Sequence, residues 1–189
     1  MKRYLVVAVA LVLVVSLGIA LTGCGGDTGK AKEYIDNAEV IIEEVGENSS
    51  EMETHIDTIF TELAGGEVTS SARADELAKG LADATDDLIK EADKAKTELE
   101  KVATLEGVDE YQEYALLRIS VIDDITELVQ STEKFLTDLG QVLVAAETGQ
   151  PVDLAKVESD STAFFTEILE LQENIQTNGE LADELQKEL

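Results

Sequence analysis

From Lys30 onward, apolar residues recur at alternating spacings of three and four, and glycine-bearing breaks divide the pattern into four stretches of similar length. That period belongs to an α-helix with one buried stripe, and such a stripe must be covered by other helices. In the first stretch Ile35, Ala38, Ile42, Val45, Ser49, Met52, Ile56, Ile59 and Leu63 share a face. The second is weaker, with Leu77, Leu81, Ala84, Leu88, Ala92, Ala95, Leu99 and Val102. Its alanines predict close helix approach. The third is the most apolar, with Ala115, Ile122, Val129, Leu136 and Leu143 at its centre, and is expected to be the most buried. The fourth carries Leu154, Val157, Ser161, Phe164, Ile168, Leu171, Ile175, Ala182 and Leu185.

The breaks are Gly65-Gly66, Gly107-Val108-Asp109 and Gly149-Gln150-Pro151. Expected helices therefore cover about 30–64, 70–105, 109–148 and 151–178 or further. Asp109 and Gln112 resemble a capping box, and Pro151 suits the first turn of a helix, where its missing N–H would have no partner. Short connections between helices of matched length favour antiparallel neighbours. The expected fold is all-α, an up-down-up-down four-helix bundle with long helices over residues 30–189. Two places are weak. Gly46-Glu47-Asn48-Ser49-Ser50 puts poor helix formers inside the first helix and predicts a kink or two shorter helices, while Asn178-Gly179 could end the fourth.

The segment before the bundle has a different character. Lys2 and Arg3 precede an uncharged run from Tyr4 to Ala20, and Leu21-Thr22-Gly23-Cys24 follows it directly. These residues resemble a bacterial lipoprotein signal with its lipobox. The resemblance implies cleavage after residue 23, a diacylglyceryl group on the thiol of Cys24, and further acylation at the new amino terminus. Several acyl chains, at about 0.8 kcal/mol per buried methylene, hold a protein on a membrane far longer than one does. Residues 24–29 would then form the lipidated cysteine and a flexible tether, with the bundle on the extracytoplasmic face of the cell membrane. The alternative is an uncleaved anchor, since Tyr4 to Thr22 is close to the lower length of a spanning helix. Cys24 is the only cysteine, so no intramolecular disulfide can form.

Cleavage would leave 12 basic and 41 acidic side chains, a formal charge of −29. That field repels nucleic acid and attracts cations and basic surfaces. Nucleic acid is excluded as a partner, and a basic envelope protein is the favoured kind. A solvated surface that keeps the domain soluble accounts for the same acids without any partner.

Catalytic and metal chemistry find little to work with. The single histidine, His55, has Glu51 four residues upstream, which is not the Glu-x-x-His pairing of di-iron bundles. Asp86-Asp87 and Asp123-Asp124 are consecutive, so on a helix they point about 100° apart and do not converge as acid and base must. Gly29-Lys30 lacks the remaining residues of a phosphate loop, and no calcium-loop spacing occurs. No enzyme activity, cofactor or metal site is expected.

Arg118 lies among Ala115, Val121, Ile122 and Ile125 on the apolar side of the third helix. An arginine there needs a partner. Matching the helices by their turns sets it level with Asp36, Glu39, Lys96 and Glu180. Two readings stand: a salt-bridged or snorkelling arginine near the bundle end, or a pocket for an anionic ligand with Tyr111 and Tyr114 as walls. The functional expectation is a membrane-anchored, non-enzymatic interaction or scaffolding bundle. The alternative is a solute-binding or sensory bundle that works with a partner protein.

Overall fold

The computed structural model describes residues 27–189, and all its regular structure is helical. Five helices follow one another: α1 Thr28–Asn48, α2 Ser50–Gly65, α3 Ser71–Val102, α4 Asp109–Glu147 and α5 Leu154–Gln186. No strand occurs among the described residues, and none of their helices is long and apolar enough to cross a membrane. The closest packing joins α3 to α4, α4 to α5, and α1 to α3, with α2 resting on the first half of α3.

The first long stretch is divided at Ser49. Its Oγ and its N–H both donate to the Gly46 carbonyl, at 2.8 and 3.2 Å, which uses an acceptor that a continuing helix would give to residue 50. Ser49 is buried, so the interruption is packed rather than loose. It also falls where the interior divides. One cluster holds Met52, Ile56 and Ile59 of α2 with Leu81, Leu128, Leu136, Phe164 and Ile168; the other holds Ala31, Ile35 and Ala38 of α1 with Leu99, Val102, Tyr114 and Ala182. Each fully covered leucine in these clusters contributes about 1.5–3 kcal/mol.

Small residues set the closest approaches. A Cβ added at Gly140 of α4 would lie 3.6 Å from that of Ala74, and one added at Gly80 of α3 would lie 2.9 Å from Cε1 of His55. His55 is thus a half-buried side chain fitted against the neighbouring backbone. The turns after α2 and α4 depend on Gly66 and Gly149, whose φ of 66° and 73° is left-handed and costs a side chain strain.

Two local expectations need correction, and a third point left open is decided. Pro151 does not enter a first turn: α5 begins at Leu154, and Asp153 caps it by accepting the Lys156 N–H at 3.1 Å. Asp109 is the first residue of α4 rather than its cap, and no capping box forms. Val108 holds the cap position and buries its side chain, while Gln112 turns back to donate to the Leu105 carbonyl at 2.9 Å. Asn178-Gly179 does not end α5. Gly179 is buried and Asn178 donates to the Ser120 hydroxyl at 3.1 Å, so contact with α4 outweighs their poor helix propensity.

Candidate functional site

Extension of α5 past Gly179 brings a third helix to Arg118. Arg118 projects from α4 into the second core cluster with 2% of its surface exposed. Its Nε donates to the Tyr114 hydroxyl at 3.0 Å and lies 3.3 Å from Oε1 of Glu39 on α1. A terminal guanidinium nitrogen donates to Oδ1 of Asp183 on α5, also at 3.0 Å. Tyr114, one turn before Arg118, is fully buried and donates its own hydroxyl proton to Glu39. One cation therefore gathers two carboxylates and a phenol from three helices.

The electrostatics follow from this geometry. Burial works against the Arg118 charge, but Glu39, the Tyr114 oxygen and Asp183 outweigh it, and the pKa moves up. Burial, followed by the adjacent Glu39 charge, pushes the Tyr114 phenol well above its ordinary range. Arg118 stays a cation and Tyr114 stays a neutral donor across ordinary pH. Neither group can exchange protons with a substrate near neutrality.

The turn-matched partners of Arg118 included Glu39, which it meets. They named Glu180 on the last helix, and the structure puts Asp183, one turn further, in contact instead. Tyr111 sits on the same turn as Tyr114 but packs, partly buried, against the second cluster, and does not border the space beside Arg118. Cys24 and the Leu21, Thr22 and Gly23 box lie outside the described residues.

Beside Arg118 the two core clusters leave a cavity of about 50 Å³, lined by Ile42, Val45, Met52, Leu88, Ile125 and their neighbours. Its hydroxyls serve their own backbones, Ser49 on Gly46 and Thr126 on the Ile122 carbonyl. A cavity that holds benzene measures about 150 Å³, so this one has room for side-chain movement rather than for a metabolite. A larger cleft of about 450 Å³ opens between α4 and α5. Phe135 and Phe164 form its floor, stacked at 4.1 Å, with the Lys134–Asp138 and Lys156–Asp160 pairs at its rim. Its volume falls in the small-molecule range, and the cleft had no signature in periodicity because it depends on the α4–α5 register. Among the described residues no three His, Cys, Asp or Glu side chains are grouped to hold a metal ion.

No protein-family model matches the chain, and no curated protein or solved structure matches it either.

Proposed function

We propose that this chain is a lipid-anchored, extracytoplasmic lipoprotein whose antiparallel up-down-up-down four-helix bundle works as a non-enzymatic interaction or scaffolding module. The observation that carries the reading is the lipobox Leu21-Thr22-Gly23-Cys24, set directly after the uncharged Tyr4–Ala20 run. Contacts along the helices support the antiparallel arrangement, because rising numbers on one helix meet falling numbers on the next. Ser71 meets Glu147 while Lys96 meets Asp123, and Ser131 meets Glu167 while Ser120 meets Asn178. The α1–α2 stretch behaves alike against α3, with Tyr34 beneath Lys101 and Glu62 beside Arg73.

With α1 and α2 counted as one interrupted helix, the start of α1 stands beside the α3–α4 turn, where the Glu106 N–H reaches Oδ2 of Asp27 at 3.4 Å. That end would face the membrane, and the turns at 65–68 and 148–151 would point away from it. A net charge of −27 suits an exposed surface that meets basic partners. Labelled palmitate fed to cells that express the chain tests the anchor: label should join the wild type and not Cys24→Ala. Absence of label from the wild type, with the protein recovered in the cytosol, refutes the proposal. A second reading, a solute-binding or sensory bundle that signals through a partner, draws on the α4–α5 cleft and on the cation beside the cavity. Loss of ligand binding in Arg118→Met without loss of stability would favour it.

A further inference from the structure

Basic residues are distributed unevenly over this bundle. The α3 helix carries six of the chain's 14 Lys and Arg, whereas residues 33–72, which contain most of α1 and all of α2, carry 11 acids and none. Residues 157–186, nearly all of α5, carry eight acids and again none. Arg73 of α3 reaches Glu62, and Arg118 holds Glu39 and Asp183, but the flank where α2 and α5 meet supplies no cation of its own.

This flank is also the loosest side of the molecule. Side chains span it, with the Phe60 and Phe164 rings 6.3 Å apart, but the α2 and α5 backbones do not approach as α3 and α4 do. Helical geometry shows which residues line it. Phe165 precedes Asp183 by 18 residues, five full turns, and so shares the side of α5 that meets Arg118 beside Glu39 of α1. Glu167 and Asn178 mark the side that lies flat on α4, from which Phe135 and Arg118 reach round to Phe165 and Asp183. Along the Phe165 side run Thr162, Phe165, Leu169, Gln172 and Gln176, an uncharged line on an otherwise acidic helix. Phe165 is 39% exposed and Leu169 is 61% exposed.

Phe165, partly covered by the Phe164 and Phe135 rings, and Leu169, mostly in water, stand on a stretch from Thr162 to Gln176 that carries no charge on this side, and the acids around it define what could cover them. A second copy of this chain would bring the same negative charge, and anionic lipid would be repelled in the same way. We infer that the α5 flank at Phe165 and Leu169 is the docking surface for a basic amphipathic helix of a partner protein. Apolar residues of that helix at spacings of three and four would cover Phe165 and Leu169, and Lys or Arg on its margins would face the acids of α2 and α5. This rests on the interaction-module reading and gives it a location.

The test uses the full lipidated chain in detergent and a fluorescent 18-residue Leu/Lys peptide with its leucines on one helical face. A control peptide has the same composition in scrambled order. The patterned peptide should bind, and Phe165→Ser with Leu169→Gln should weaken it about tenfold or more, because both lost contacts are apolar burial. Leu169 is mostly in water, so Leu169→Gln alone should keep the helicity and thermal midpoint of the wild type and still weaken binding, whereas Phe165 also meets the Phe164 ring edge-on at 5.2 Å and its loss lowers the midpoint of the double variant slightly. Equal binding by the double variant, or equal affinity for the scrambled peptide, overturns the proposal in favour of charge alone. Photo-crosslinkers at positions 169 and 87 in native membranes separate the two levels of failure. Adducts at 169 agree with the docking surface; adducts at 87 alone overturn it yet leave an interaction module, and none at either removes the module itself.

Discussion

Replacing Arg118 by Met removes a cation whose side chain is 3% exposed and leaves Glu39 and Asp183 facing a thioether. Breaking a fully buried pair costs about 3–5 kcal/mol, because the abandoned charge stays desolvated. Here the abandoned carboxylates are 20% and 32% exposed, so each can regain water, and Met preserves an apolar stem beside the cavity that Arg118 lines together with Ile122. A cost of about 2 kcal/mol follows. For a chain of this length each kcal/mol lowers the thermal midpoint by about 2–4 °C, which gives a fall of about 4–8 °C. Circular dichroism melting at pH 7 measures it. Tyr114→Phe should cost less, and the double variant should fall short of the sum because Tyr114, Arg118 and Glu39 share one network. A midpoint within about 2 °C of wild type for Arg118→Met, or strict additivity with Tyr114→Phe, would refute this account of how α1, α4 and α5 are joined.

Three further outcomes are expected. Burial, with Glu127 and Asp123 nearby, raises the Asp124 pKa above 3.8, and its Oδ2 has no hydrogen-bond partner, so the folded protein holds that proton more tightly than the unfolded chain. This contribution destabilises as pH rises through the window. Asp124→Asn should therefore melt higher than wild type at pH 7, with the gain gone below pH 3.8, and melts across that range would show it. Gly80→Ala gains about 1 kcal/mol of helix propensity but places a Cβ 2.9 Å from His55 Cε1. Urea titration should find it neutral or destabilised alone, and stabilising by about 1 kcal/mol in a His55→Ala background. Ala92→Val puts two methyl groups beside the 50 Å³ cavity and should raise the unfolding free energy read from urea titration by up to about 1 kcal/mol, whereas a loss would mean that the added methyl groups do not fit the space.

The helical character was legible because alternating three-and-four spacing survives any detail of packing, and because Gly66 and Gly149 sit where left-handed turns are needed. The interruption near Ser49 was legible for a related reason: a run of poor helix formers has no strong local preference to defend. Helix ends were harder to read. Pro151, Asp109 and Asn178-Gly179 each carry a sound local signal, and each loses to a contact from elsewhere. Asp153 caps α5, Val108 buries itself at the head of α4, and Ser120 with the second core cluster holds α5 beyond Gly179. The same cause hid Asp183. Matching helices by their turns selected Glu180, and one more turn of α5 carries the residue that Arg118 reaches.

The break at Ser49 has a mechanical meaning. Among the described helices only α3, α4 and α5 reach both core clusters, while α1 and α2 each grip one of them. Ser49 itself keeps a helical backbone, at φ −76° and ψ −10°, and its carbonyl still accepts the Glu53 N–H at 2.9 Å. The two halves of this stretch are therefore hinged at a single residue while each is clamped to α3 by its own set of apolar side chains.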